Sequence, residues 1–341
     1  MGHLTQEDAL TFRDFETDQD IRWCPGCGDY AILKAVQKTM PEIGKAKEDI
    51  VFISGIGCSS RFPYYMNTYG FHTIHGRAPA VATGVKLANP NLSVWQVTGD
   101  GDALAIGGNH YIHALRRNVD INILLFNNEI YGLTKGQYSP TSQTGIVTKS
   151  SPQGTVDRAF NPGKLALGAE SNFFARVIDI DPKRMVNVML EAERHKGTSL
   201  IEILQNCVIF NDKVFAGVTA KDVKLDMQLW LEHGQPMIFG KDQNKGIVLD
   251  GLRLKVVTIG ENGVTAADIL VHDAHCEDST LHGLLISMSA PDFPVAFGII
   301  RQVEASTLDE NTWRQIKQEK ENAQFNSIDE LMTSGVTWEI E

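Results

Sequence analysis

Two short β-rich runs, with a turn and a helix-like stretch between them, constrain this chain most. Ser93–Thr98 reads as a buried strand and stops at Gly99-Asp100-Gly101, a turn signal. A helix-like stretch from about Leu104 to Arg117 follows, then a second apolar strand, Ile121–Phe126, which ends at Asn127-Asn128-Glu129. A strand–turn–helix–strand unit of this length predicts a parallel crossover. Both polar ends then sit at the same carboxyl edge of one sheet, where open α/β folds bind ligands. There the Asp100 carboxylate and the Asn128 amide oxygen converge. They form an incomplete shell of hard oxygens, suited to Mg²⁺ that takes its remaining ligands from a diphosphate and water. The flanking glycines let the backbone approach phosphate closely.

The composition bounds the rest. A chain of 341 residues can bury a large core, and 43% hydrophobic with 21% charged residues is the balance of a soluble globular protein. A net charge of −11 argues against nucleic acid as the main partner and offers no general attraction for an acidic electron carrier. Met1–Asp8 lacks the basic-then-apolar run of a signal peptide, and no apolar stretch is long enough to span a membrane. The expectation is a cytoplasmic protein that binds no membrane. Its five cysteines then read as thiols or metal ligands rather than disulfides.

Taken in order, residues 1–20 form a polar arm. In Arg22-Trp-Cys24-Pro-Gly-Cys27-Gly-Asp29, a tight turn holds two sulfurs on one side; a redox dithiol, a zinc half-site and an iron–sulfur half-site all fit it. Asp29 is the expected N-cap of a helix from Tyr30 to about Met40. A strand at Val51–Ser54 leads into Gly55-Ile56-Gly57-Cys58-Ser59-Ser60, a glycine-rich turn carrying a third cysteine. His75, before Gly76-Arg77, is a candidate phosphate or substrate contact. Beyond Asn128, the loop Glu129–Pro140 leaves the same edge, and its Lys135 is a candidate for a substrate carboxylate. Ser139–Gly163 reads as a long loop of the kind that often carries function. Strands at Phe174–Ile180 and Ser199–Leu204 flank a helix at Pro182–Lys196, and Cys207 stands just past the second strand. Four cysteines can therefore converge at this edge. Past about Asn211 the alternating rhythm breaks into short strands, a helix-like stretch at Thr265–Asp273 and an acidic helix near Glu310–Gln324. The expected division is an arm at 1–20, a cofactor domain at 21–212 and a C-terminal extension at 213–341 that contacts other subunits.

Asn128 follows Asp100 by 28 positions, and this spacing resembles the diphosphate motif of thiamine diphosphate enzymes. That resemblance implies Asp100, the Asn128 side chain and the Ile130 carbonyl as Mg²⁺ ligands. Five stretches together are similar to the β subunits of 2-oxoacid:ferredoxin oxidoreductases: Trp23–Gly28, Gly55–Ser60, His75–Arg77, Gly99–Gly101 and Asn127–Gln137. The likeness covers roughly residues 20–212. It implies a thiamine diphosphate-binding α/β fold, a mainly parallel sheet flanked by helices, with a C-terminal extension. It implies one [4Fe–4S] cluster on Cys24, Cys27, Cys58 and Cys207. Thiamine diphosphate contacts fall on Ile56, Gly57, Cys58, Ser59, His75, Gly101, Asp102, Gly132 and Leu133. Lys135 becomes the contact for the substrate carboxylate, in a Leu-Thr-Lys-Gly context closest to enzymes of 2-oxoglutarate. Cys276 matches no motif and reads as a plain thiol.

The implied activity is oxidative decarboxylation of 2-oxoglutarate with coenzyme A to succinyl-CoA and CO₂. Electrons leave one at a time through the cluster to ferredoxin, and reductive carboxylation is equally open. Pyruvate or a broad range of 2-oxoacids is the alternative substrate class. A non-redox thiamine-dependent decarboxylase with structural zinc is the alternative chemistry, and a non-catalytic cysteine-rich scaffold is a further one. In this family the glutamate that polarises the cofactor's pyrimidine ring comes from the α subunit, so the chain is expected to work only as part of an (αβ)₂ heterotetramer.

Overall fold

A computed structural model describes residues 10–325, 327–338 and 340. Of the expected 1–20 arm, residues 1–9 lie outside them. The strands are β1 (Ile50–Ser54), β2 (Tyr69–His72), β3 (Ser93–Gly99), β4 (Asn122–Asn127), β5 (Phe173–Ile178), β6 (Ser199–Leu204), β7 (Gln228–Leu231), β8 (Ile238–Phe239), β9 (Lys245–Asp250), β10 (Arg253–Thr258) and β11 (Val295–Gln302). Eight of them make one sheet in the order β2-β1-β3-β4-β6-β5-β11-β7. The first six in that order run parallel. β11 pairs antiparallel with β5, and β7 follows β11 in parallel. The loops after β1 to β6 therefore leave one edge of the sheet.

The central strands are apolar on both faces because both faces are covered, as in parallel sheets generally. One face sets Val51, Ile53, Val94, Ile123, Leu125 and Leu200 in one cluster with Ala82 of α2 (Ala78–Ala88) and Tyr111 of α4 (Gly108–Arg117). The other sets Phe52, Trp95, Leu124, Phe126 and Ile201 with Ile32 and Met40 of α1 (Asp29–Glu42) and Met185 of α6 (Pro182–Arg194). Trp95 and Phe126 are fully buried, and truncating such an aromatic costs about 3–5 kcal/mol.

Three expectations need correction. The helix expected over Leu104–Arg117 is two helices, α3 (Asp100–Leu104) and α4, broken at 105–107. The break brings Gly107 so near the Asp102 carbonyl that a Cβ there would lie 2.3 Å away. Asp29 is not the N-cap of α1; Gly28 holds that place, and the Asp29 side chain is buried instead. Thr265–Asp273 holds only a single 3-10 turn, at Ala266–Asp268. Past residue 212, β7 and β11 complete the main sheet, while β8, β9 and β10 form a small antiparallel one. Among the described residues no helix is long and apolar enough to cross a membrane.

Candidate functional site

The carboxyl edge collects side chains from loops that lie far apart in sequence. At the end of β3, Asp100 opens α3 and is almost wholly buried. Its Oδ2 accepts hydrogen bonds from the hydroxyls of Ser139 and Thr141, both at 2.5 Å. No cation among the described residues pairs with it. Burial raises its carboxyl from the ordinary value to about 6, against the opposing effect of the two hydroxyls. A buried carboxylate without a countercharge is suited to taking up a cation.

Asn128 and Ile130 stand in the turn that leaves β4. The Asn128 Nδ2 donates to Gln205 Oε1 at 2.7 Å, and its Oδ1 accepts the Ile130 N–H at 3.2 Å. Among the described residues no hydrogen bond ends on the Ile130 carbonyl. Glu129 between them has φ +55 and is buried; burial, first, and then the Asp100 charge push its carboxyl up to about 7. Asn211 Nδ2 ties the same turn down through the Asn128 carbonyl at 3.0 Å.

Asp102 organises the neighbouring loops. Its Oδ1 accepts the Ile56 N–H at 3.1 Å and the Gly76 N–H at 2.7 Å, and contacts His75 Nδ1 at 2.5 Å. Its Oδ2 accepts Thr98 Oγ1 at 2.8 Å. One carboxylate thus joins the loops after β1 and β2 to α3, and among the described residues His75 Nε2 has no hydrogen-bond partner. Of the expected cofactor contacts, Ile56 and His75 are both held by Asp102, itself one of them. Gly101 has no room for a side chain, since a Cβ would lie 2.2 Å from the Tyr131 ring, whose hydroxyl donates to the Gly101 carbonyl at 3.0 Å.

The four expected cysteine ligands lie on three neighbouring loops beside this group. Cys24 and Cys27 share a turn closed by the Cys27 N–H on the Cys24 carbonyl at 3.0 Å. The Trp23 indole donates to the Cys58 carbonyl at 2.7 Å, and Gln205 Nε2 reaches Cys27 Sγ at 3.3 Å. A Cβ on Gly132 would touch both Cys207 Sγ and Cys58 Sγ, at 3.5 and 3.6 Å. All four are free thiols. Burial, then the Asp29 charge, pushes the Cys27 thiol far up, and the same two causes raise Cys58 to about 12. The Cys27 and Cys58 thiolates are thus disfavoured, a balance that a coordinated metal would reverse. Among the described residues no three His, Cys, Asp or Glu side chains are set for a single metal ion. Cys276 lies elsewhere, exposed, its carbonyl holding Arg301.

Lys135 is exposed, and among the described residues its side chain has no hydrogen bond or ion pair. Its φ is +76, a costly conformation for a lysine, fixed by the Lys135 N–H on the Gly132 carbonyl at 3.0 Å and the Gly136 N–H on the Tyr131 carbonyl at 2.9 Å. Leu133 beside it is also exposed.

The sequence reading missed several participants. Ser139 and Thr141 sit in the long loop it flagged, but nothing in a Ser/Thr-rich stretch says which hydroxyl reaches Asp100. Asp179, after β5, caps the Cys207 loop by accepting the Asn206 N–H at 2.8 Å; its place at a strand's carboxyl end was the available signal.

Residues 55–203 match the family model "Thiamine pyrophosphate enzyme, C-terminal TPP binding domain". The chain is 48% identical over 343 residues to the 2-oxoglutarate oxidoreductase subunit KorB of Mycobacterium tuberculosis, a match covering 100% of this chain and 91% of that one. It is 47% identical over 198 residues to the β subunit of 2-oxoacid:ferredoxin oxidoreductase 1 of Aeropyrum pernix, covering 58% of this chain and 62% of the relative. A solved 2-oxoglutarate:ferredoxin oxidoreductase of Magnetococcus marinus, with 2-oxoglutarate, coenzyme A and succinyl-CoA bound, superposes at a TM-score of 0.77 with 29% identity over 98% of each chain. With sequence similarity running the whole length and the fold agreeing over the same span, the chain belongs to the β subunits of the 2-oxoacid:ferredoxin oxidoreductases.

Proposed function

We propose that the chain is the β subunit of an enzyme that decarboxylates 2-oxoglutarate oxidatively with coenzyme A to succinyl-CoA and CO₂ and passes the electrons to ferredoxin. The observation that supports this reading best is the gathering of the loops of Cys24, Cys27, Cys58 and Cys207 beside Asp100, a buried carboxylate with no countercharge among the described residues. Asp100, Asn128 Oδ1 and the Ile130 carbonyl are the Mg²⁺ ligands, the last supported by its having no donor among the described residues. Cys24, Cys27, Cys58 and Cys207 hold one [4Fe–4S] cluster; such a cluster is wider than one ion, so its ligands need not close on a single point. When bound, thiamine diphosphate supplies the electron sink for loss of CO₂, and the cluster supplies one-electron steps.

The chain's own residues bind and orient. Asp102 keeps Ile56 and Gly76 in place, so the backbone of Ile56–Ser59 meets the cofactor in a fixed conformation. It also takes His75 Nδ1, which turns Nε2 towards the cofactor and substrate. Gly101, Gly132 and Leu133 complete the cofactor's wall. Lys135 receives the distal carboxylate of 2-oxoglutarate by a charge-assisted hydrogen bond. An α subunit carrying the pyrimidine-side glutamate completes the site in an (αβ)₂ assembly in the cytoplasm.

The test is to purify the complex anaerobically with its α subunit. Visible absorbance bleached by dithionite, together with dye reduction that needs both 2-oxoglutarate and coenzyme A, supports the reading. A colourless protein holding zinc, which decarboxylates without reducing the dye, would overturn it.

A further inference from the structure

Between β5 and β6, two interior strands, the sheet buries a charge pair. Arg176 and Glu202 stand opposite each other in the ladder, and Arg176 Nε donates to Glu202 Oε2 at 2.8 Å. Their side chains are 6% and 2% exposed. Burying two charges costs solvation that their attraction barely returns, and apolar replacements are often neutral or stabilising. Stability of the sheet is therefore a poor reason for this pair.

Its contacts supply a better one. The other carboxylate oxygen of Glu202, Oε1, accepts Asn127 Nδ2 at 2.8 Å. That acceptor decides which end of the Asn127 amide is which. The amide oxygen must then face the other way, where it meets Thr141 Oγ1 at 3.0 Å and the Glu129 N–H at 3.3 Å. Thr141 is one of the two hydroxyls on Asp100. Glu129 lies in the turn that presents Asn128 and Ile130. A single buried amide thus grips both halves of the oxygen site, and an ion pair that touches neither half fixes its orientation.

We propose that Glu202, held by Arg176, is a positioning residue for the Asp100/Asn128/Ile130 site, acting through the amide of Asn127. The proposal rests on the reading of that site as the Mg²⁺–diphosphate site. Glu202→Gln keeps the volume but adds a donor. The Asn127 amide is then free to turn over, which sets its NH₂ against the Glu129 N–H and releases the turn.

The experiment measures thiamine diphosphate binding to the intact αβ complex as MgCl₂ is varied, with melting temperature and iron content alongside. Partners of this kind alter metal affinity by about 10–100-fold, so the Mg²⁺ needed for half-saturation should rise by about that factor in Glu202→Gln. Iron content should hold, while the melting temperature of Glu202→Gln should fall, because the Arg176 charge is left buried without its countercharge. The double variant Arg176→Met/Glu202→Met guards against a folding failure, since it removes both charges; it should fold and show the same rise. A variant that melts early yet binds with wild-type Mg²⁺ dependence would make the pair merely structural and overturn the proposal. If both variants bind normally, the proposal fails and the site reading survives. If the wild-type complex shows no Mg²⁺-dependent binding, the site reading falls and takes the proposal with it.

Discussion

Replacing Gly28 by alanine tests how the cysteine loops are interlocked. Gly28 has φ −60, so alanine adds no backbone strain and only the methyl group matters. Its Cβ would lie 2.0 Å from Asp179 Oδ2 and 3.0 Å from Gln205 Cγ. Ordinary contact begins near 3.4 Å, so the Asp179 carboxylate must retreat by about 1.4 Å. That retreat breaks its 2.8 Å bond to the Asn206 N–H, next to Cys207. Losing a hydrogen bond to a charged acceptor costs about 1.5–3 kcal/mol, and overpacking adds about 1–3 kcal/mol. The cost falls on the turn of Cys24 and Cys27 and on the loop of Cys207 together. Iron per chain and the melting temperature of the αβ complex are the readouts, and both should drop. Gly44→Ala is the control: φ there is +69 and nothing lies within 4 Å of a new Cβ, so it should destabilise through strain while iron stays. Full iron and an unchanged melting temperature in Gly28→Ala would refute the interlocked arrangement.

Four further predictions concern the oxygen site and the substrate. Asp100→Ala should abolish Mg²⁺-dependent thiamine diphosphate binding and leave the iron content intact, as measured by calorimetry and metal analysis. Because burial raises the Asp100 carboxyl to about 6, protons compete with the cation, so Mg²⁺ affinity should weaken as pH falls through about 6. By the same sign, Asp100 makes the metal-free protein less stable as pH rises through that value, a trend that denaturation of the apo protein at graded pH would reveal. Lys135→Ala removes one charge-assisted bond worth about 1.5–3 kcal/mol, a loss of about 10- to 150-fold in kcat/KM for 2-oxoglutarate with little change for pyruvate; an equal loss on both substrates would deny it a specificity role.

The sheet edge was legible because parallel strands buried on both faces read as plain apolar runs, and β1, β3, β4 and β6 fall within a residue of where those runs stand. Asp100, Asn128, Cys58 and Cys207 could be placed at that edge because each follows such a run. β11 was missed although Val295–Ile300 is apolar. Its pairing with β5 is antiparallel and spans more than a hundred residues, which no local pattern reveals. The two-helix break at 105–107 depends on the close approach of Gly76 and Gly107, a tertiary contact. Asp29 looked like an N-cap by position, yet its carboxyl is buried beside the Cys27 thiol and Asp179, and burial raises it to about 7. Arg176 and Glu202 each read as an interruption in a strand, and only the register opposes them.

The central claim is that Cys24, Cys27, Cys58 and Cys207 hold a redox cluster next to a thiamine diphosphate site. Electron paramagnetic resonance of the anaerobic αβ complex, after adding 2-oxoglutarate and coenzyme A, tests it most directly. The account predicts that a reduced-cluster signal develops with both compounds, persists in Cys276→Ser and vanishes in Cys207→Ser. A signal that survives Cys207→Ser but is lost in Cys276→Ser, or a zinc-loaded protein that gives no signal at all, would contradict it.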